Sequence, residues 1–322
     1  MSRNSLSPSV RHTTPLVVGT RGSPLARRQA AIVRNRLRTQ GYPVELREIK
    51  TTGDRILDIP LAGIGSQALF TKELDEALLD GSIDLAVHSL KDWPTEMPAG
   101  LVIGAVSKRE DPADVFVGRP GYSGGLADLP EGAVLATSSP RRQAQLLAWR
   151  SDLHMEPVRG NVGTRLRKLA EGAWTGLVLA AAGLKRLDME EHITERIPPD
   201  IMLPAVGQGA LAVVCRDRDE NIRALLQETV HDAHTSCEVL AERAFLHTLR
   251  GGCSIPAGAW GRVRGDRLIL EGCVASPDGR QICRGQRTGP ASEGETIGAE
   301  LANELLGQGG RRILKELRNP GA

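Results

Sequence analysis

Two side chains carry the chemistry that the sequence can be read for directly. Asp92 ends the tetrapeptide Ser89-Leu90-Lys91-Asp92 that follows the strand-like segment Ile83 to His88, and Cys253 follows Gly251-Gly252. A carboxylate at a strand end can stabilise a developing cation or move a proton. It can equally close a turn by bonding its own backbone. His88 reads as a packed strand residue. A thiol after two glycines sits on an exposed loop, but one that follows the C-terminal end of a helical pattern, where the dipole raises its pKa. That disfavours a turnover nucleophile and suits a thiol alkylated once and kept as a thioether; an inert buried cysteine is the alternative.

The cations are lopsided, with 34 Arg against 7 Lys in a chain whose net charge is only +2. Arginine grips carboxylate or phosphate with paired hydrogen bonds, so position decides whether these residues form one site or a solvated surface. Arg21, Arg141, Arg142, Arg159, Arg165 and Arg186 fall in or beside loops and helix starts. A cleft lined by them would take a ligand with several carboxylates or phosphates. Nucleic acid is a poor partner, because the positive excess is small and aromatics make up 3% of residues. A Walker-type phosphate loop is absent.

These residues need a scaffold, and 322 residues predict two or three domains. Leu16 to Val18 reads as a strand, followed by Ser23 as a helix N-cap and Pro24 at the first helical position. The device repeats at Val134 to Thr137, Ser139 and Pro140, which suggests two related α/β units with free N–H groups beside arginine. Val44 to Ile49, Ile83 to His88, Leu177 to Ala181 and Leu211 to Cys215 read as further strands, and Phe70 to Leu79 as a helix. Alternation of this kind implies a mostly parallel sheet with the site at its strand ends. From about His234 the pattern changes. Thr235 and Glu238 form a capping box for a helix stopping at Gly251-Gly252. Alternating segments Ala259 to Val263, Leu268 to Val274 and Gln281 to Arg287 then predict a three-stranded antiparallel sheet, and a last helix carries Leu301, Leu305 and Leu306.

Five cysteines without a CxxC pair fit a reducing compartment, and neither a disulfide framework nor a zinc site. No apolar run approaches the ~20 residues of a membrane helix. The opening fifteen residues read as a short disordered tail without the apolar stretch of a secretory signal. A cytoplasmic protein without membrane or metal is the expectation.

The segments GTRGSPLA, HSLKDWP, TSSPRRQ, RGNVGTRL, AAGLKRL, LPAVGQGAL and AERAFLHTLRGGCSIPAG occur in that order. Together they resemble the porphobilinogen deaminase (hydroxymethylbilane synthase) family from about Leu16 onward. The resemblance implies a transferase of tetrapyrrole biosynthesis. It carries a dipyrromethane cofactor bound as a thioether to Cys253, adds four porphobilinogen units in turn with loss of ammonia, and releases hydroxymethylbilane by hydrolysis. It implies Asp92 as the catalytic carboxylate. It places Ser89, Lys91, Thr137, Ser139, Arg141, Arg142, Gly160, Arg165, Asp54 and Gln208 at the cofactor with Cys253. Arg21, Ser23, Arg159, Arg186, Phe70 and Gln67 are placed at the substrate. A primer with four added rings would present about a dozen carboxylates, which accounts for the arginines. Gln67 stands where many members have Lys, and Pro140 where Leu is more usual.

The fold so implied has two α/β domains like those of type II periplasmic binding proteins, hinged by linkers near Lys108 and Arg216, and a small α+β cofactor-attachment domain. The boundaries are 1–15 for the tail, 16–108 with 210–230 for domain 1, 109–209 for domain 2 and 231–322 for domain 3. A monomer handing its product to uroporphyrinogen-III synthase is the implied setting. Two competitors remain. A noncatalytic anion-binding module of the same two-domain type explains the arginines but not Asp92 with Cys253, and a cofactor-dependent transferase of phosphorylated substrates lacks a cofactor fingerprint.

Overall fold

A computed structural model describes residues 14–52, 71–251 and 255–318. The first unit runs β1 (Leu16–Arg21), α1 (Pro24–Thr39), β2 (Val44–Ile49), α2 (Lys72–Leu79), β3 (Leu85–Ser89) and β4 (Leu101–Val106). The chain then crosses to β5 (Asp114–Gly118), β6 (Val134–Ala136), α3 (Pro140–Trp149), β7 (His154–Glu156), α4 (Val162–Glu171), β8 (Gly176–Ala180), α5 (Ala181–Arg186) and β9 (Glu195–Arg196). It returns through β10 (Leu211–Arg216) and α6 (Glu220–Thr229). The last unit contains α7 (Ala233–Thr248), β11 (Ala257–Arg264), β12 (Arg267–Ala275), β13 (Ile282–Pro290), α8 (Gly294–Leu305) and α9 (Arg311–Arg318).

The first two sheets repeat one plan. Their orders are β2-β1-β3-β10-β4 and β7-β6-β8-β5-β9. In each, four strands are parallel and the fifth runs against them: β10 between β3 and β4, and β5 between β8 and β9. That antiparallel strand is supplied by a crossing segment, so the two connections between the units enter equivalent positions. Both faces of each sheet are buried. Val18 and Leu85 belong to one core layer and Ala86 and Ala212 to the opposite one, which is why these strands read as continuous apolar runs. Layers around Phe116 and around Leu177 flank the second sheet.

The two Ser-Pro helix starts form as their local chemistry dictates. Ser23 Oγ accepts from the Ala26 N–H at 3.2 Å and Ser139 Oγ from the Arg142 N–H at 3.5 Å. Elsewhere the structure differs from the expectation. Asp232 caps α7, accepting from the Thr235 N–H at 2.8 Å; Thr235 Oγ1 is thereby left to accept from the Arg109 N–H and Glu238 to accept from Val263. The left-handed residue after α7 is Arg250 (φ +51), before the glycines. The final helix is two, broken at Gly309 (φ +122). Arg216 is not at the hinge: its guanidinium donates to the Leu78 and Ile83 carbonyls inside the first unit. The crossings meet at 107–110 and 208–211, where Ser107 N–H donates to the Leu211 carbonyl and Glu110 N–H to the Gly209 carbonyl. Gly209 (φ +91) is required there, because a Cβ would lie 2.3 Å from the Glu110 oxygen.

Candidate active site

Asp92 ends a short 3-10 turn, Leu90–Asp92, at the C-terminal end of β3. The turn is fixed from below. Leu90 is buried, its N–H donates to the Ala210 carbonyl, and Trp93 N–H donates back to the Leu90 carbonyl. Asp92 itself is exposed. Burial lowers the pKa of both Lys91 and Arg165 and the Asp92 charge opposes that shift in each, so a carboxylate of the first unit lies within electrostatic range of a guanidinium on α4 of the second. In both units the residues singled out in the sequence lie at or just after strand ends.

Below Asp92 runs a polar network that the sequence did not disclose. Asp114, at the start of β5, has a fully buried side chain and accepts from Arg141 Nη1 at 2.6 Å and from Arg142 Nε at 2.9 Å. Gln208 Nε2 donates to the same carboxylate at 3.1 Å, and Gln208 Oε1 accepts from Lys91 Nζ at 3.3 Å. Burial raises the Asp114 pKa, but the two guanidiniums outweigh it and hold the carboxyl below the usual range. Arg141 also donates to the Leu203 carbonyl and Arg142 to the Val178 carbonyl. These two arginines, expected to face a ligand, are therefore anchored first by the protein. The one hint in the sequence was an acidic residue opening the apolar run Val115-Phe116-Val117.

The remaining cations of the cleft are partly desolvated. Burial pushes the Lys91 ammonium down to about 8, and Arg165 and Arg186 down to about 10. Among the described residues Arg165 donates only to the Gly160 carbonyl, at 2.8 Å, and Arg186 only to the Gly209 carbonyl, at 2.6 Å; neither has a carboxylate partner. Burial, with the charge of Arg21 at the end of β1 adding to it, lowers the His88 pKa to about 3. His88 is buried, with its ring 4.5 Å from Trp93, as a packed strand residue should be. Ser89 Oγ accepts from Gln29, and Thr137 Oγ1 accepts from the Ser139 N–H. Arg159, partly exposed, precedes Gly160 on the turn into α4. Cys253, Asp54, Gln67 and Phe70 lie outside the described residues.

Guanidiniums placed like those of Arg165 and Arg186, half-buried and, among the described residues, bonded only to carbonyls, match the chemistry of a polycarboxylate. A dipyrromethane, with acetate and propionate on each ring, fits this donor set, in which Lys91 and Arg165 each lie within electrostatic range of Arg142 and of Asp92. No group of His, Cys, Asp and Glu suited to a metal occurs among the described residues.

A second interdomain cluster was also missed. Glu242 on α7 is fully buried, accepts from Arg109 Nη1 at 2.6 Å and Nη2 at 3.2 Å, and accepts from the Gly207 and Gly261 N–H groups. It ties the third unit to both crossing segments. Only long-range packing reveals it, since 133 positions separate Arg109 from Glu242.

The family profile described as "Porphobilinogen deaminase, dipyromethane cofactor binding domain" matches residues 16–224, and "Porphobilinogen deaminase, C-terminal domain" matches 236–307. The chain is 55% identical over 305 residues to the porphobilinogen deaminase of Desulforudis audaxviator, covering 94% of this chain and 98% of that one. To that of Pelotomaculum thermopropionicum it is 51% identical over 305 residues, covering 94% and 97%. Among solved structures it is similar to a nutrient binding protein from Burkholderia cenocepacia bound to methionine, with TM-score 0.41 and 14% identity over 66% of this chain and 89% of that one. Both family profiles and full-length identity near one half lead to one conclusion: the chain belongs to the porphobilinogen deaminase family.

Proposed function

We propose that the chain is a transferase that condenses four porphobilinogen molecules head to tail, with loss of ammonia, and releases hydroxymethylbilane. The observation that carries the proposal is Asp92, held at the end of β3 within electrostatic range of Lys91 and Arg165 and above the Asp114 network. A dipyrromethane held as a thioether by Cys253 supplies, when bound, the free pyrrole end that is extended.

The residues divide the work. Asp92 accepts a hydrogen bond from the substrate pyrrole N–H and stabilises the positive charge that develops on that ring as ammonia departs. Its carboxylate then takes the proton displaced from the attacking ring carbon. Lys91, Arg142 and Arg165, with Ser89, Thr137, Ser139, Arg141, Gly160, Gln208 and Asp54, hold cofactor carboxylates or shape their seat. Arg21, Ser23, Arg159, Arg186, Phe70 and Gln67 serve the incoming substrate. Fixed cations in a partly desolvated cleft need no reorganisation as charge moves.

Two α/β units on paired crossings, with the cofactor on a third, allow the cleft to change as product lengthens; we assign 16–108 with 210–230, 109–209 and 231–322 to these units. A cytoplasmic monomer that passes its product to uroporphyrinogen-III synthase is the setting we propose. The free thiols of Cys215, Cys237, Cys273 and Cys283 support a reducing compartment. No helix among the described residues is long and apolar enough to cross a membrane.

Asp92→Asn tests the assignment. Turnover of porphobilinogen should fall by at least about 100-fold, while denatured mass still shows the cofactor attached. Near-normal turnover would refute the role given to Asp92.

A further inference from the structure

The third unit contains a cavity of about 590 Å³ between the end of α7, α8 and α9, outside the arginine-lined site. Its apolar lining is the partly exposed Leu306, with Leu249 and Leu314 buried in the core behind the cavity surface. Arg250, Arg311, Lys315 and Arg318 reach it from two directions, and no carboxylate of the described residues lines it.

This arrangement works against the stability of the empty protein. Arg311, Lys315 and Arg318 are spaced i, i+4 and i+7 and so share one face of α9, where like charges repel. Arg311 stands at the first helical position, where the macrodipole is positive, and the first turn contains no acid to offset it. Arg318 donates to the Leu249 and Arg250 carbonyls at 2.9 and 3.0 Å, which fixes its guanidinium at the cavity edge. Arg250 is held in the left-handed region at φ +51, an uncommon conformation for a side-chain-bearing residue. The neighbouring Arg312, by contrast, has Glu316 within 4.0 Å. Among the described residues none of the four cavity cations has an acidic partner.

We propose that this cavity is a second, noncatalytic site for an amphipathic polycarboxylate, a ring compound whose body lies on Leu306 and whose carboxylates meet the four cations. Its ligand class is that of the product assigned above, and in that respect the inference rests on that reading. A bare inorganic anion would use the cations and leave Leu306 idle. The cavity's volume of about 590 Å³, with Leu306 open to it, favours a ring compound over a bare anion.

The test is fluorescence titration of the full-length holoprotein with uroporphyrin, an octacarboxylate, beside Arg311→Gln/Lys315→Gln and Arg250→Gly. All three positions are exposed, and glycine suits the backbone at 250. Each variant should turn over porphobilinogen at the wild-type rate without uroporphyrin. Uroporphyrin should bind the double variant at least about tenfold more weakly, and Arg250→Gly more weakly than wild type. Equal affinity in all three proteins overturns the site. Displacement of uroporphyrin by inorganic phosphate, at matched ionic strength and equal concentration, overturns the ring-compound ligand. Charge-dependent uroporphyrin binding by a protein that fails to turn over porphobilinogen would refute the enzymatic reading and leave this site standing.

Discussion

Replacing Asp114 by asparagine keeps the shape of the side chain and removes the charge on which Arg141 and Arg142 converge. Both ion pairs are close, with Arg141 Nη1 at 2.6 Å and Arg142 Nη2 at 2.8 Å, and the carboxylate is fully buried. Removing one partner of a buried ion pair costs about 3–5 kcal/mol, because the remaining charge stays desolvated. Two guanidiniums are left here, so the upper part of that range is expected. The carboxyl is held below its usual range in the folded protein. Its contribution is therefore complete above the unfolded value of about 4 and is lost as pH falls below it. The difference in thermal midpoint between wild type and variant should be large at pH 7 and should shrink steadily below about pH 4. A second readout separates positioning from mere stability. Asp114 also raises the Lys91 pKa, so the variant's alkaline loss of kcat/KM should begin at lower pH than in wild type. At neutral pH, displaced arginines should reduce kcat/KM by about 100-fold. An Asp114→Asn protein with unchanged midpoint, or one whose loss of stability is the same at pH 3 and pH 7, would refute the reasoning.

Other perturbations follow from the same geometry. Lys91, with its ammonium near 8, should lose its grip on a carboxylate as pH rises through that value; Lys91→Arg should push the alkaline limb of kcat/KM upward by more than one pH unit. The same depression means that between pH 8 and the unfolded value the unfolded chain binds the extra proton, so Lys91 makes stability rise with pH across that window. Glu242→Gln should lower stability by about 3–5 kcal/mol and the thermal midpoint by on the order of 10 °C, read by calorimetry, because Arg109 would be buried without its partner. Gly209→Ala forces a Cβ against the Glu110 oxygen at φ +91; it should destabilise by about 2 kcal/mol or more and disturb both crossings, seen as faster proteolysis at 107–111.

What the sequence discloses depends on how local the cause is. The Ser23-Pro24 and Ser139-Pro140 starts are legible because cap, ring and first N–H groups lie within four residues. Strands such as Leu211–Arg216 are legible because burial on both faces leaves an unbroken apolar run. The α7 cap is harder, since Asp232 with Thr235 and Thr235 with Glu238 are both acceptable pairs, and the contact of Thr235 with Arg109 decides between them. The roles of Asp114 and Glu242 are not legible. Their partners lie between 19 and 133 positions away in sequence, and the one local mark, the apolar run that follows Asp114, does not name the arginines it faces. Arg141 and Arg142 look like ligand-binding residues from sequence for the same reason: an arginine turn reads alike whether its anion is bound or built in. Lys91, Arg165 and Arg186 are the cations that the structure leaves closest to the expected role.

The central claim is a covalent pyrrole primer at Cys253, and intact mass under denaturing conditions with peptide mapping tests it most directly. Protein expressed in cells that make porphobilinogen should have a mass excess of two pyrrole units, mapped to the peptide containing Cys253, and Cys253→Ser should lack it. A wild-type chain without the adduct, still unmodified after incubation with porphobilinogen or hydroxymethylbilane, would contradict the account.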